Sequence, residues 1–212
     1  MTASAKSLKS LNLAWLWGVV AVDAVTLVFL TFPNLLTPAT MKDAAWLRAL
    51  GAAVAPVLVL LLTSLLSSDA KAVLVFWRLS KTLPGHRAFS VYAPKDARIN
   101  LDSLRKNVGA FPESAREQNA MWYKLYKKVD SDVTVIQAQR QYLLFRDLAT
   151  LSLLLAPISA LSLYLAGASA VSSVLAVAFL IVQYVASAIA ARHSGVRLVT
   201  NVLSLHAVKR RV

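Results

Sequence analysis

Four long apolar stretches, two on each side of a basic central segment, dominate the pattern of hydrophobic and polar positions along this chain. They cover residues 13–32, 49–68, 148–166 and 170–191, and within them Asp23 is the one residue with a formal charge. Each stretch reaches the roughly 20 residues that a helix needs to cross about 30 Å of hydrocarbon. The pattern therefore predicts an all-α membrane protein with four transmembrane helices.

The connections within each pair of predicted helices are short. Pro33 and Pro38 lie in the first connection, where they prevent one continuous helix, and residues 167–169 must turn the chain between the third and fourth helices. Short connections make consecutive helices antiparallel neighbours. We therefore expect two antiparallel transmembrane hairpins, one on each side of the central segment.

The charges are distributed asymmetrically along the chain. Its 23 Lys and Arg outnumber its 10 Asp and Glu, and only Lys42 and Arg48 lie in a connection within a pair. Because Lys and Arg near a span stay on the cytoplasmic side, we expect a multi-pass protein of the inner (plasma) membrane with both termini and the central segment in the cytoplasm. This rule also explains the net charge of +13. Nucleic acid is therefore not an expected partner, whereas a lipid bilayer with anionic headgroups is.

These expectations divide the chain into five parts. They are a cytoplasmic N-terminal tail, a first transmembrane hairpin, a cytoplasmic helical module, a second hairpin and a basic amphipathic cytoplasmic tail, at 1–12, 13–68, 69–147, 148–191 and 192–212. In the last part, apolar residues such as Leu198 and Val202 recur at helical spacing, which predicts a helix that continues from the fourth span. That helix is expected to dock on the module or to rest on anionic lipid, and Gly195 allows it to bend.

Capping residues predict where the helices of the module begin. Asn100 can cap a short helix that ends at Gly109. Ser114 and Glu117 have the spacing of a capping box, so a helix should follow them. Asp130 and Asp132 are expected to cap a long helix that runs without a break from residue 133 to residue 166, through Pro157 and into the third span.

Two other stretches of the module have weaker signals. Residues 70–77 are apolar enough to prolong the second membrane helix beyond the membrane surface. The sequence Leu83-Pro84-Gly85 then predicts a break, and residues 81–94 are expected to be irregular.

Asp23 is the residue that most strongly suggests a role inside the membrane. A carboxylate in a span costs about 2.5–3.5 kcal/mol on insertion scales, so it should face a partner, a cavity or water. The spans contain no Lys, Arg or His, and Gln183 is among the uncharged polar residues available to it. We expect Asp23 to be protonated, hydrated or hydrogen-bonded across an oligomer interface, in a structural role or in an ion, proton or gating role.

The module offers candidate contacts for a ligand or partner but no catalytic signature. Pro84-Gly85-His86-Arg87 can bind an anion through Arg87 and backbone amides, or be an ordinary solvated loop. Trp122, Tyr126, Lys127 and Lys128 share a predicted helix that can pack within the module or lie on headgroups. The three His residues are far apart, Cys is absent and no phosphate loop or nucleophile elbow occurs. We therefore expect no enzyme activity, metal site or cofactor.

Two classes of function fit these features. The first is a homo-oligomeric membrane effector or channel-like assembly, whose protomers associate through rows of small residues and whose module senses a small-molecule or protein trigger. In architecture alone, the chain resembles the small multi-span proteins that bacteria use in anti-phage defence to compromise their own membrane. The second class is a membrane anchor or scaffold subunit that docks a cytoplasmic partner.

Overall fold

The computed structural model describes residues 8–31, 61–62, 64–165 and 167–208. Most of the second predicted span and the first connection lie outside these residues, as do the first seven residues and Lys209–Val212. Every regular element in the described part of the chain is helical. The all-α prediction is therefore confirmed for this part.

Seven α-helices and two shorter helical turns have both of their ends within the described residues, and residues 61–62 and 64–65 are also helical. The α-helices are α1 (Leu8–Thr31), α2 (Ser68–Phe76), α3 (Ala93–Lys95), α4 (Leu101–Val108), α5 (Ala115–Lys127), α6 (Val133–Leu165) and α7 (Ala170–Val208). A 3₁₀ turn (Pro84–Arg87) and a π-helical turn (Ala88–Tyr92) lie between α2 and α3.

Helices α6 and α7 are each long and apolar enough to cross a membrane. Only 39% and 28% of their most apolar windows are buried within the protein. A core helix of a soluble protein would be mostly buried, so this exposure favours contact with lipid. In α1, the described apolar segment is the shorter Asn12–Leu27.

The chain divides into two compact units, and both α6 and α7 contribute to each. The first unit is drawn from the described residues of Met1–Ser67 and from Leu144–Ala188. Within it, Leu16 of α1 and Leu151 of α6 are buried in the same hydrophobic cluster. Many of its large apolar side chains are exposed, including Ile158, Leu161, Val171, Val174 and Val182, while several polar side chains are buried. This distribution is the reverse of that in a soluble domain.

The second unit is drawn from Ser68–Leu143 and the described residues of Ile189–Val212. Its hydrophobic core contains residues of the module together with Leu198, Val199, Val202 and Leu203 of α7. The C-terminal helix thus docks on the module, which was one of its two predicted locations; the other was anionic lipid. The helix is also continuous through Gly195, where Phe76 and Tyr142 would lie 3.1 Å and 3.2 Å from an added Cβ. Gly195 serves close packing, and the chain does not break there.

The predicted helix caps are present, although of the two aspartates predicted to cap α6 it is Asp132 that does so, and Asp130 pairs with Lys127. Asn100 accepts a hydrogen bond from the Ser103 amide at the start of α4, and Ser114 accepts one from the Glu117 amide at the start of α5. Helix α6 begins after Asp132, whose carboxylate accepts a 2.8 Å hydrogen bond from the Thr134 amide. Its hydrogen bonds to Thr134 lower the pKa of Asp132. Helix α6 then continues through Pro157 to Leu165, as predicted.

Two local predictions are wrong. The second membrane helix does not continue smoothly to Trp77, because the chain leaves helical geometry at residues 66–67 and α2 begins at Ser68. Serine and aspartate favour a new helix start over continuation of the old one. Residues 84–95 are helical turns where irregular structure was expected. The side chain of Gln118, distant in sequence, accepts hydrogen bonds from the amides of Phe89 and Ser90 and stabilises these turns.

Candidate functional site

The first unit contains a hydrogen bond between its two predicted intramembrane polar residues. Gln183 Nε2 in α7 donates to Asp23 Oδ2 in α1 over 3.0 Å, and Asp23 is only 4% exposed. Gln183 was one of the uncharged candidates that the sequence offered. This bond lies within one chain, so the carboxylate has an amide donor without an oligomer interface.

Other buried polar groups occur in the same unit. They are Asn12, Arg146, Asp147, Thr150, Ser152 and Ser187. Two of them satisfy their own helix, since Thr150 Oγ1 donates to the Arg146 carbonyl oxygen and Ser152 Oγ to that of Leu148. Such bonds are the usual way for hydroxyls to be accommodated in an apolar helix. The hydrogen bond between Asp23 and Gln183, by contrast, joins two helices.

Sequence reasoning did not identify the buried pair Arg146 and Asp147. Arg146 NH2 lies 3.1 Å from Asp147 Oδ1, and the side chains are 11% and 3% exposed. Buried charges of opposite sign must be paired to be tolerated. The sequence feature that could have indicated this pair is the adjacency of two opposite charges directly before the third apolar stretch.

The predicted anion-binding turn at His86 packs on α5. A Cβ at Gly85 would collide with Asn119 and Trp122, so this position requires glycine. Within the described residues, neither His86 Nδ1 nor Trp122 Nε1 has a hydrogen-bond partner, although both atoms are buried. Arg87 is partly exposed. The structure therefore packs Gly85 against Trp122 and buries the ring nitrogen Nδ1 of His86.

The aromatic side chains of α5 form a cluster within the module. The rings of Trp122 and Tyr126 stack with centroids 5.7 Å apart, and the Tyr126 hydroxyl donates a 2.7 Å hydrogen bond to Gln139 Oε1 of α6. Burial raises the pKa of Tyr126. Lys127 Nζ lies 5.6 Å from the centroid of the Tyr126 ring and 3.6 Å from Asp130 Oδ2. The first predicted alternative, packing within the module, is the one observed.

Lys128 lies apart from this cluster. It lines a cavity of about 420 Å³ with Val129, Asp132 and Leu205. Of the six predicted contact residues on the module, Trp122, Tyr126 and Lys127 are therefore adjacent, Lys128 belongs to another surface, and His86 and Arg87 lie in the 3₁₀ turn.

Sequence reasoning also missed a polar network around Arg98. Its guanidinium donates to both carboxylate oxygens of Asp96, with Nε 3.0 Å from Oδ1 and NH2 2.7 Å from Oδ2. These bonds lower the pKa of Asp96 to about 2 and raise that of Arg98. Arg98 also donates to Thr200 Oγ1 and Asn201 Oδ1 of α7, each over 3.1 Å. Partners about a hundred residues apart leave no local signal in the sequence.

The described residues contain no cluster of three or more His, Cys, Asp or Glu side chains that could hold a metal ion. No protein-family model matches this chain, and comparison with curated proteins and with solved structures yields no match.

Proposed function

We propose that this protein is a non-enzymatic membrane effector that works as a homo-oligomer and responds to a trigger bound by its cytoplasmic module. In this proposal the chain crosses the inner membrane four times as two antiparallel hairpins, with both termini in the cytoplasm. Its activity is to permeabilise the membrane, as a bacterial anti-phage defence protein of this architecture would.

The observation that carries the proposal is the continuity of α6 and α7. Each helix runs unbroken through residues of the apolar first unit and residues of the second unit's hydrophobic core. A change in how the module packs on Val135 or Val199 would therefore act on a helix that also contributes residues to the first unit. This gives a ligand-dependent change in the module a physical route to the membrane segment.

The exposed apolar side chains of the first unit support a membrane location. Val171 and Val182 are 70% and 68% exposed, which is costly in water and favourable in lipid. The same faces are available for association between protomers. One chain can form only a thin bundle of helices. In a homo-oligomer, several such bundles would surround the permeation path.

A membrane anchor or scaffold subunit is the second candidate, and the hydrogen bond between Asp23 and Gln183 favours it. An effector that conducts needs a water-accessible line of polar positions, whereas an anchor needs only a satisfied, buried polar group. The 4% exposure of Asp23 meets the second requirement in the conformation described.

Induced expression in bacteria, monitored with a membrane-potential dye, separates the two candidates. The effector should depolarise cells once it is triggered, and the purified protein in detergent should be larger than a monomer. Asp23→Asn tests the carboxylate, because asparagine retains an acceptor for Gln183 but cannot ionise. Loss of depolarisation with the assembly intact would assign Asp23 a functional role; a monomeric, silent protein would favour the anchor.

The topology has its own test, because the chain has no Cys. Single cysteines can be introduced at Ala168, between α6 and α7, and at Ala110, which is exposed after α4. We expect a membrane-impermeant maleimide to label Ala168→Cys from outside and Ala110→Cys only after the membrane is opened. Labelling of both from the same side would contradict the four-span arrangement.

A further inference from the structure

A polar groove of about 560 Å³ lies between α6 and α7 in the second unit. Its polar walls are formed by Thr134, Gln137 and Gln141 of α6 and by Arg197, Asn201 and Ser204 of α7, and Arg98 also lines it. The volume is within the range of about 300–1,000 Å³ that is typical of small-molecule sites.

The polar residues of each wall share one helix face. Thr134, Gln137 and Gln141 have the spacing i, i+3, i+7, and Arg197, Asn201 and Ser204 have the spacing i, i+4, i+7. Two helices that pack together normally bury apolar residues at these positions. In this part of the unit, both stripes carry hydrogen-bonding groups, and Thr134, Gln137, Gln141 and Arg197 are exposed, so these groups are accessible to a ligand from solvent.

Arg98 is held in place before any ligand arrives. Asp96 binds its Nε and NH2 groups, Thr200 accepts a second bond from NH2, and Asn201 accepts one from NH1. Asn201 in turn donates from Nδ2 to the carbonyl oxygen of Thr134, over 3.2 Å. Four of the five N–H groups of the guanidinium are thereby bound to described residues, and the fifth belongs to NH1.

Arg197 supplies the second positive charge of the groove. Its NH1 donates to Gln141 Oε1 over 3.3 Å, so the amide oxygen orients the guanidinium. The amide nitrogen of Gln141 and the side chain of Gln137 add neutral donors along the same wall. Planar guanidinium groups and amide donors that converge on one space suit an acceptor with several oxygen atoms.

The charged side chains that line the groove, Arg98 and Arg197, are both positive. None of the described residues that line it is a carboxylate, and the nearby Asp96 is bound by Arg98. A neighbouring cavity of about 820 Å³ shares Arg197 and adds Lys95, His193 and the Asp96 carboxylate that Arg98 binds. Net positive charge in a concave surface attracts anions over more than contact distance.

We propose that this groove is a binding site for a phosphate-bearing ligand, with Arg197 and Arg98 as the phosphate contacts and Gln137 and Gln141 as donors to the rest of the ligand. A phosphate group offers three oxygen atoms to these donors and matches the fork of a guanidinium. The ligand is either a soluble phosphorylated molecule such as a nucleotide or the headgroup of an anionic phospholipid. The role of a soluble ligand as the trigger rests on the proposed effector function. The binding of phosphate to the groove does not depend on that function.

The test measures binding to the purified full-length chain, without any permeability readout. Calorimetry with ATP as the probe uses protein in nanodiscs of phosphatidylcholine alone, and native mass spectrometry measures lipid retained from nanodiscs that contain phosphatidylglycerol. Arg197→Gln and Gln137→Glu are the informative variants. Gln137 is exposed, so its substitution adds a negative charge to the groove without disturbing a packed contact.

Arg116→Gln is the matched control, because it removes the same charge from an exposed position of α5 in the same unit. We expect both groove variants to weaken binding about tenfold or more, in line with the loss of a hydrogen bond to a charged group, and the control to bind as the wild type does. Arg98→Gln should weaken binding as well, with some loss of stability through Asp96.

The two probes identify the source of the phosphate. Saturable ATP binding that the groove variants weaken supports a soluble ligand, and retained phosphatidylglycerol that the same variants release supports a lipid headgroup. If neither probe binds saturably, or if Arg116→Gln weakens binding as much as Arg197→Gln does, the proposed site is overturned. Depolarisation could still occur in that case, so failure of this site is distinguishable from failure of the effector function.

Discussion

The guanidinium of Arg192 lies over the indole ring of Trp77, with 3.5 Å between Cζ and the ring centroid. Nε of the same arginine donates a hydrogen bond to the carbonyl oxygen of Val75, in the last turn of α2. The last carbonyls of a helix lack intrahelical donors, and a cation over an indole ring is attracted to it. Arg192 therefore joins the end of α2 to α7 through two contacts.

Trp77 is held in a conformation that costs free energy. Its φ is 52°, in the left-handed region that residues with a Cβ avoid. Trp77→Ala and Trp77→Gly both remove the ring, but only glycine also removes the strain. We expect the glycine variant to be more stable than the alanine variant by about 1 kcal/mol in thermal unfolding of the purified protein. Leu79 is exposed and does not have a positive φ. There, the alanine variant should be at least as stable as the glycine variant.

Gly195→Ala should destabilise the second unit. The added Cβ would lie 3.1 Å from Phe76 and 3.2 Å from Tyr142, whose rings are themselves packed. Overpacking of this kind costs about 1–3 kcal/mol, which exceeds the helix propensity gained from alanine. Gly18→Ala in α1 is the comparison, because an added Cβ there meets none of the described residues within 4 Å. It should be neutral or stabilising; an equal loss in both variants would argue against the packing explanation.

Local features of this fold could be predicted from sequence because their causes are local. Asn100 and Ser114 each cap the helix that begins immediately after them. The donor amide is three residues from the capping side chain, so the capping pattern can be recognised in the sequence. The length and apolar character of α6 and α7 follow in the same way from composition alone. The docking of α7 on the module followed from its apolar periodicity, as one of two alternatives.

The features that sequence reasoning missed depend on distant partners. Residues 84–95 contain Pro and Gly, which predict irregular structure. They form helical turns because the side chain of Gln118 accepts hydrogen bonds from the amides of Phe89 and Ser90. The residues around Arg98 in the sequence do not indicate that Thr200 and Asn201, about a hundred residues away, accept hydrogen bonds from it. Which distant groups will meet is decided by tertiary packing, and a single sequence has no local pattern for it.

Acid should weaken the second unit through Asp96. Arg98 lowers the pKa of this carboxyl from 3.8 to about 2 in the folded protein. The folded state therefore binds the proton less well than the unfolded state does, and the stabilisation is complete above pH 3.8 and lost as the pH falls towards 2. Because Arg98 is 56% exposed, screening limits the effect to about 1 kcal/mol.

Thermal unfolding measured across this acid range tests the pair. Asp96→Asn should be less stable than the wild type at neutral pH and should lose less stability in acid. Glu113→Gln removes a carboxylate from an exposed position before α5 and should retain the wild-type acid loss. Identical acid profiles for the wild type and Asp96→Asn would contradict a stabilising role for the pair.

The hydrogen bond between Asp23 and Gln183 should give a measurable coupling free energy between α1 and α7. In a double-mutant cycle, Gln183→Leu leaves a buried carboxylate without its amide donor and should be the more damaging single variant, whereas Asp23→Leu leaves only an amide. The double variant removes both groups and should be more stable than the sum of the single effects implies, by about 1 kcal/mol. Stability can be measured by denaturant unfolding in detergent micelles.

Ser152 provides the control for this cycle. It is fully buried in the same unit, but its hydroxyl donates to the Leu148 carbonyl oxygen of its own helix. A cycle of Asp23→Leu with Ser152→Ala should therefore be additive. If the Asp23 and Gln183 substitutions are also additive, the bond does not stabilise the fold, and the ion, proton or gating role becomes the better reason for a carboxylate at this position.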